Sequence, residues 1–194
     1  MKIIPFQDLI RRYYSGEEFI IFDTETTGLN TYHDDIVEVA GTIWRKNGEA
    51  ETFEELIWVS PNKMTSEAQR IHGISAKDVE NARKPDEVFG DFVKFCADRP
   101  LVAHNIRFDF PMLNSNLVRS GLRPYQNDEV ACSLVYAKEQ MLPGKLIELA
   151  MHYKVEMDTD NLHRAMYDVK VLLEILGKIM RENEPEDLQY SLVL

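Results

Sequence analysis

Apolar positions along the chain change rhythm once, near residue 60, and the change splits the expected elements into two sets. Phe6, Leu9, Ile10, Tyr13 and Tyr14 recur at helical spacing and predict a short amphipathic helix within residues 1–18, closed by Gly16. Phe19-Ile20-Ile21-Phe22 is a continuous apolar run and predicts a buried strand. Ile36 to Trp44 alternates moderately and predicts a second strand, and Thr52 to Val59 a third, stopped by Pro61. Asn47-Gly48 between them is a hairpin-turn signal, so the first part of the chain reads as an antiparallel meander. Beyond it the period becomes mostly helical. A short helix is expected from Thr65 to Ile71, with Thr65 as its cap and His72-Gly73 as its break. Pro85 to Ala97 is helical, with Val88, Phe89, Phe92, Val93 and Phe95 apolar. Leu101-Val102-Ala103 reads as a short buried strand, 109–120 as a helix ended by Gly121, and 132–140, 145–153 and 163–182 as further helices. A meander followed by alternating strands and helices predicts an α/β fold: a mixed sheet, antiparallel first and then parallel, flanked by helices. The expected organisation is an N-terminal helical extension at 1–18, a main domain at 19–182, and an acidic linker and tail at 183–194, where Pro185 interrupts the acidic run.

Several acids break this apolar pattern. The strand that begins at Phe19 runs into Asp23 and Glu25, although buried strands are poor places for carboxylates. Residues i and i+2 of a strand point the same way, so the two acids lie side by side and repel unless a positive charge sits between them. A divalent cation fits that need, and oxygen ligands suit magnesium or manganese. Taken alone, Asp-x-Glu also reads as a solvated strand end. Asp109 follows the strand at 101–103; because Pro111 belongs in a helix's first turn, Asp109 is expected at or near a helix N-terminus, in line with Leu113 and Leu117. N-capping would explain it as well, and does not exclude metal binding. Asp168 falls in line with Leu172 and Leu176 on or beside the apolar face of the last helix, where an unpartnered acid is costly. His163 is five residues earlier, roughly 140° away around a regular helix, so it is expected at the helix start or on the preceding loop, able to swing over a site. Of the other histidines, His104 is placed to orient the backbone or wall of such a site. His72 sits in a turn, and His33 and His152 have no supporting pattern.

Composition narrows the function. The net charge is −11, from 22 basic and 33 acidic residues, which argues against a general coat for double-stranded nucleic acid, since that requires a basic surface. An acidic enzyme acting on short or single-stranded ends through metals remains compatible. Cys96 and Cys132 match no metal-ligand spacing, and no disulfide framework is indicated. Neither a signal-peptide pattern nor an apolar run of transmembrane length is legible, so the expectation is a soluble cytoplasmic protein with no membrane partner.

Three segments together resemble a known family. Asp23-Thr24-Glu25-Thr26-Thr27-Gly28-Leu29, His104-Asn105-x-x-Phe108-Asp109 and His163-Arg164-Ala165-x-x-Asp168 occur in the order of the motifs of the DEDD-type 3′–5′ exonucleases of the histidine subclass. This is the family of the proofreading subunit of bacterial replicative polymerases. Ile71-His72-Gly73-Ile74 is similar to a family turn, and the likeness runs from about residue 19 to 180. The resemblance implies a ribonuclease-H-like fold. It implies that Asp23, Glu25, Asp109 and Asp168 hold two divalent ions, Mg2+ or Mn2+, and that His163 is the general base. It further implies removal of nucleoside 5′-monophosphates from 3′ ends of single-stranded DNA or frayed ends, in replication or repair. Thr26, Leu29, His104, Asn105 and Phe108 fall at the substrate-binding positions.

The chain departs from the family at Val130-Ala131-Cys132-Ser133-Leu134, where many relatives have an acid or a cysteine followed by threonine, and in its extension at 1–18. Gln189-Tyr190-Ser191-Leu192-Val193-Leu194 resembles the peptides that bind bacterial sliding clamps, which suggests a clamp or polymerase partner for the tail. Two rival readings stand beside the DNA exonuclease. One is an RNA-trimming or oligoribonucleotide-degrading exonuclease, since the motifs do not fix the sugar. The other is a non-catalytic polymerase-accessory subunit, which has no need to gather four carboxylates.

Overall fold

The structure is a computed structural model and describes residues 1–46, 51–158 and 163–185. The expected hairpin turn at Asn47-Gly48 and the clamp-like tail at 189–194 lie outside the described residues. Among those described, six strands form one sheet in the order β1-β6-β5-β2-β3-β4. The strands are β1 (Lys2–Ile3), β2 (Phe19–Thr26), β3 (Ile36–Trp44), β4 (Thr52–Leu56), β5 (Leu101–Ala103) and β6 (Glu129–Cys132). β2, β3 and β4 pair antiparallel, whereas β1, β6, β5 and β2 pair parallel. The mixed sheet expected from the pattern is therefore present.

Strand alternation assigns the two faces. Phe19 and Ile21 of β2, with Ala40 and Trp44 of β3, join a core with α1 (Phe6–Tyr14), α5 (Ser133–Glu139), α6 (Leu146–His152) and α7 (Ala165–Glu182). Ile20 and Phe22, with Val39 and Ile43, join a second core on the opposite face with α3 (Pro85–Cys96) and α4 (Ile106–Arg119). A sheet covered on both sides explains why β2 opens as an unbroken apolar run and why every residue of β3 is buried. The remaining helix, α2 (Ser66–His72), starts with the Thr65 hydroxyl accepting from the Ala68 N–H at 3.1 Å, and stops at Gly73 in the left-handed conformation, φ 74°.

β4 stops at Leu56, three residues short of the expected end at Val59, and three further assignments differ from expectation. The segment ahead of α1 is not only helical: Lys2–Ile3 adds an edge strand beside β6. β6 is an element the pattern does not predict: only its last residue, Cys132, touches the helix expected at 132–140, and four residues are too short to show a period. α4 begins at Ile106, three residues before the expected start, with Asn105 at its N-cap in the left-handed conformation, φ 70°. Pro111 thus lies inside the helix, where it removes the N–H that would have bonded the Arg107 carbonyl. α1 is tied down by stacking of Phe6 on Tyr136 and Tyr13 on Trp44, and by a 2.8 Å bond from the Tyr14 hydroxyl to the Met180 carbonyl. Both cysteines are buried, and burial pushes the Cys96 thiol upward. No described helix is long and apolar enough to cross a membrane.

Candidate active site

The C-terminal end of β2 is where the two faces deliver their polar side chains. Asp23 and Glu25 continue the line of Phe19 and Ile21, so they point toward the α7 side of the sheet. α7 carries Asp168 in its first turn. One carboxylate oxygen from each of Asp23, Glu25 and Asp168 lies within 4.8 Å of the other two. Thr24 points to the other face, where its hydroxyl donates to Asp109 Oδ1 at 2.9 Å. Asp109, buried in the first turn of α4, therefore stands beside the three-acid group rather than within it.

Burial pushes all four acids toward their protonated forms, and neighbouring charges add to it for Asp23, Glu25 and Asp168. Burial raises Asp23 well above the usual carboxylate range, and the charges of Asp109, Glu25, Asp168 and Glu38 push it further. Glu25 is pushed up to about 9 by burial, then by Asp168, Glu38 and Asp109, with Arg164 opposing. Asp109 rises to about 7 through burial, against the Thr24 hydrogen bond. Asp168 rises to about 6 through burial, against the nearby His163 ring and a hydrogen bond from the His163 main chain. The buried Asp168 Oδ1 has no hydrogen-bond partner among the described residues. Repelling acids and an orphaned buried oxygen are what a hard divalent cation relieves, so the residues present fit such an ion.

His163 is exposed, has a left-handed backbone (φ 64°), and precedes the N-cap Arg164 directly, as the helical-angle argument required. With Asp168, Asn105 and His104 it borders a cavity of about 390 Å³. His104 is committed to the wall: Nε2 donates to the Gly144 carbonyl at 2.9 Å, and Nδ1 lies 2.9 Å from the Ser133 hydroxyl. Burial lowers its pKa, against the hydrogen bond to the Gly144 carbonyl. A second cavity, of about 440 Å³, adjoins Glu25 and includes Thr26, Leu29, Ile71, His72 and Phe108 in its lining. Leu29 is 83% exposed at its rim. Thr26 is buried, with its hydroxyl donating to the Gly28 carbonyl at 2.7 Å. His72 is buried as the last residue of α2 rather than in a turn, and its Nδ1 accepts from the Ile74 N–H at 3.0 Å.

Sequence reasoning missed Glu38. It is fully buried on β3, directly opposite Glu25 in the sheet register. A lone acid inside the apolar stretch Ile36–Trp44 was the available signal. Thr24, which holds Asp109, was also missed, because a threonine in a strand carries no distinguishing pattern.

A mixed sheet with helices on both faces is a ribonuclease-H-like fold, and at the end of β2 it brings together buried Glu25 and half-buried Asp23 and Asp168, with buried Asp109 alongside. The family model described as an exonuclease, RNase_T, matches residues 20–176, and the chain belongs to that family of DEDD exonucleases. DNA polymerase III PolC-type of Lactococcus lactis is 32% identical over 166 residues, 84% of this chain and 10% of that protein. The Bacillus cereus counterpart is 29% identical over 182 residues, 92% of this chain and 12% of that protein. The chain thus spans about a tenth of the length of the curated relatives it matches. Among solved structures, E. coli exonuclease I in complex with a dT13 oligonucleotide superposes with a TM-score of 0.73 at 18% identity, over 90% of this chain and 43% of that one.

Proposed function

We propose that this chain is a metal-dependent 3′–5′ exonuclease that removes nucleoside 5′-monophosphates from single-stranded or frayed DNA ends. The observation that carries the reading is the convergence of Asp23, Glu25 and Asp168, with Asp109 alongside, at buried and half-buried positions where their charges repel unless compensated. These four acids would hold two divalent ions, Mg2+ or Mn2+, which supply charge stabilisation to the attacking and leaving oxygens of a phosphodiester. His163, exposed at the mouth of the cavity beside Asp168, would take the proton from the attacking water. The cavity lined by Leu29, Ile71 and Phe108 offers an apolar bed for the terminal base. Thr26 shapes its floor through the bond to Gly28. Asn105 and the fixed ring of His104 line the other cavity, the one that His163 and Asp168 border.

DNA is favoured over RNA because the matched relatives are DNA polymerases and a solved neighbour carries a DNA oligonucleotide. Those same relatives suggest a polymerase context, and the tail at 189–194 suggests a clamp as partner. Matched 5′-labelled DNA and RNA oligomers, incubated with Mg2+ or Mn2+, test the reading. A ladder of 3′-shortened DNA, lost in His163→Ala, is expected. Faster RNA shortening would replace the DNA assignment, and unchanged activity in His163→Ala would remove that residue from its role. Clamp binding unaltered by deletion of 188–194 would dismiss the tail as its docking peptide.

A further inference from the structure

Glu38 is a buried acid whose oxygens are both already occupied. Oε1 accepts from Arg164 Nη2 at 2.5 Å and Nε at 3.2 Å; Oε2 accepts from Arg164 Nε at 3.2 Å and from the Ala165 N–H at 2.8 Å. With no oxygen to spare, Glu38 is not a further cation ligand, and it lies outside the group formed by Asp23, Glu25 and Asp168. Its position is what gives it a role. Glu38 sits across from Glu25 on the neighbouring strand, and the two residues it grips, Arg164 and Ala165, lie between His163 and Asp168. We propose that Glu38 and Arg164 form a positioning latch that fixes the N-terminus of α7 on the β2–β3 hairpin, and so sets where His163 and Asp168 stand relative to Asp23 and Glu25. The inference rests on the exonuclease reading above and deepens it.

Three features of the junction support the latch. His163 has a left-handed backbone, which a residue with a side chain holds only when its neighbours are fixed. The Asp168 N–H donates to the Arg164 carbonyl at 3.0 Å, so the turn is tied at two points: by its main chain to Asp168 and, through Arg164 and the Ala165 N–H, to Glu38. The pair also balances charge. Glu38 alone would add a fifth negative charge beside four carboxylates, and it pushes Asp23, Glu25 and Asp168 upward. The Arg164 guanidinium, in contact with it, cancels that excess and leaves four acids to match two divalent ions.

The test uses the full chain and compares Glu38→Gln, Arg164→Gln, Arg164→Lys and the double variant Glu38→Gln/Arg164→Gln with the unsubstituted protein. Mn2+ affinity is read by titration calorimetry and electron paramagnetic resonance, and kcat and KM are read on single-stranded DNA. Gln keeps one oxygen for the Ala165 N–H but loses the charge, and Lys keeps the charge but loses the fork. The latch predicts folded variants whose Mn2+ affinity falls about tenfold or more, with kcat reduced and KM little changed. The double variant should be no worse than the more impaired single one. If Glu38→Gln does not fold, Arg164→Lys carries the test, since the Arg164 side chain is 44% exposed. Variants that lose only thermal stability, while binding Mn2+ and turning over normally, would reduce the pair to a structural brace and overturn the proposal. An unsubstituted protein that neither binds Mn2+ nor shortens DNA would overturn the exonuclease reading and the latch with it. A normal parent with normal variants would overturn the latch alone.

Discussion

At the scale of single residues, the site is a set of carboxylates held where they prefer to be neutral. Glu25, pushed up to about 9, binds a proton in the folded metal-free protein at neutral pH that it releases on unfolding. Its ionisation therefore opposes folding in the alkaline range. Glu25→Gln should raise the melting temperature of the metal-free protein at pH 9 while abolishing cleavage. A fall in melting temperature would show that the charge is not strained. Thr24→Val tests the second arm. Removing the hydroxyl that donates to Asp109 removes an interaction that lowers its pKa, so Asp109 should move above about 7 and metal binding should require a higher pH. The check is the pH midpoint of Mn2+ binding. Much at this scale was legible in the chain: Asp23, Glu25, Asp109 and Asp168 stand out as acids set into apolar patterns. Glu38 shares that signal, but it belongs to none of the three motifs, and its purpose depends on Arg164, which is 126 residues away.

At the scale of elements, the strand–helix alternation delivers these residues. β2 sends Asp23 and Glu25 to the α7 side and Thr24 to the α4 side, and two helices answer with Asp168 and Asp109. Period and run length exposed the long strands and helices well. They failed for β1, at the sheet edge, and for β6, between β1 and β5, whose identity comes from parallel pairing rather than from a local pattern. They also misplaced the start of α4, because Pro111 was given the first turn that Ile106–Asp109 occupies. The loop after β2 shows a different constraint. A Cβ at Gly28 would collide with the Asp34 carboxylate, which itself accepts the Asn30 N–H at 2.8 Å. Gly28→Ala should therefore displace the loop bearing Leu29, cost about 1–2 kcal/mol of stability, and raise KM more than it lowers kcat. Unchanged KM would separate Leu29 from the substrate.

At the scale of the whole molecule, the four raised acids make pH and metal act in opposition. The folded metal-free state binds more protons than the unfolded chain between the ordinary carboxylate range, about 4, and the folded values of about 6, 7 and 9 for Asp168, Asp109 and Glu25. This contribution to stability is fully present below pH 4 and is lost as pH rises through 6 to 9. The melting temperature of the metal-free protein should reflect that loss across this window, and the increment added by Mn2+ should grow over the same window. Calorimetry in buffers of different ionisation enthalpy should show protons released as the ion binds. A Mn2+ increment independent of pH would contradict the account. The net charge of −11 fits this scheme, since cations rather than a basic surface would meet the substrate's phosphates.

The most direct test of the central claim is the shortening of a 5′-labelled single-stranded DNA by the protein before chelation, after chelation, and after Mn2+ is restored, with Asp23→Ala run alongside. The account predicts stepwise 3′ shortening that stops on chelation, returns with Mn2+, and is absent in Asp23→Ala at every stage. Shortening that persists after chelation, or in Asp23→Ala, would place the chemistry somewhere other than this carboxylate cluster.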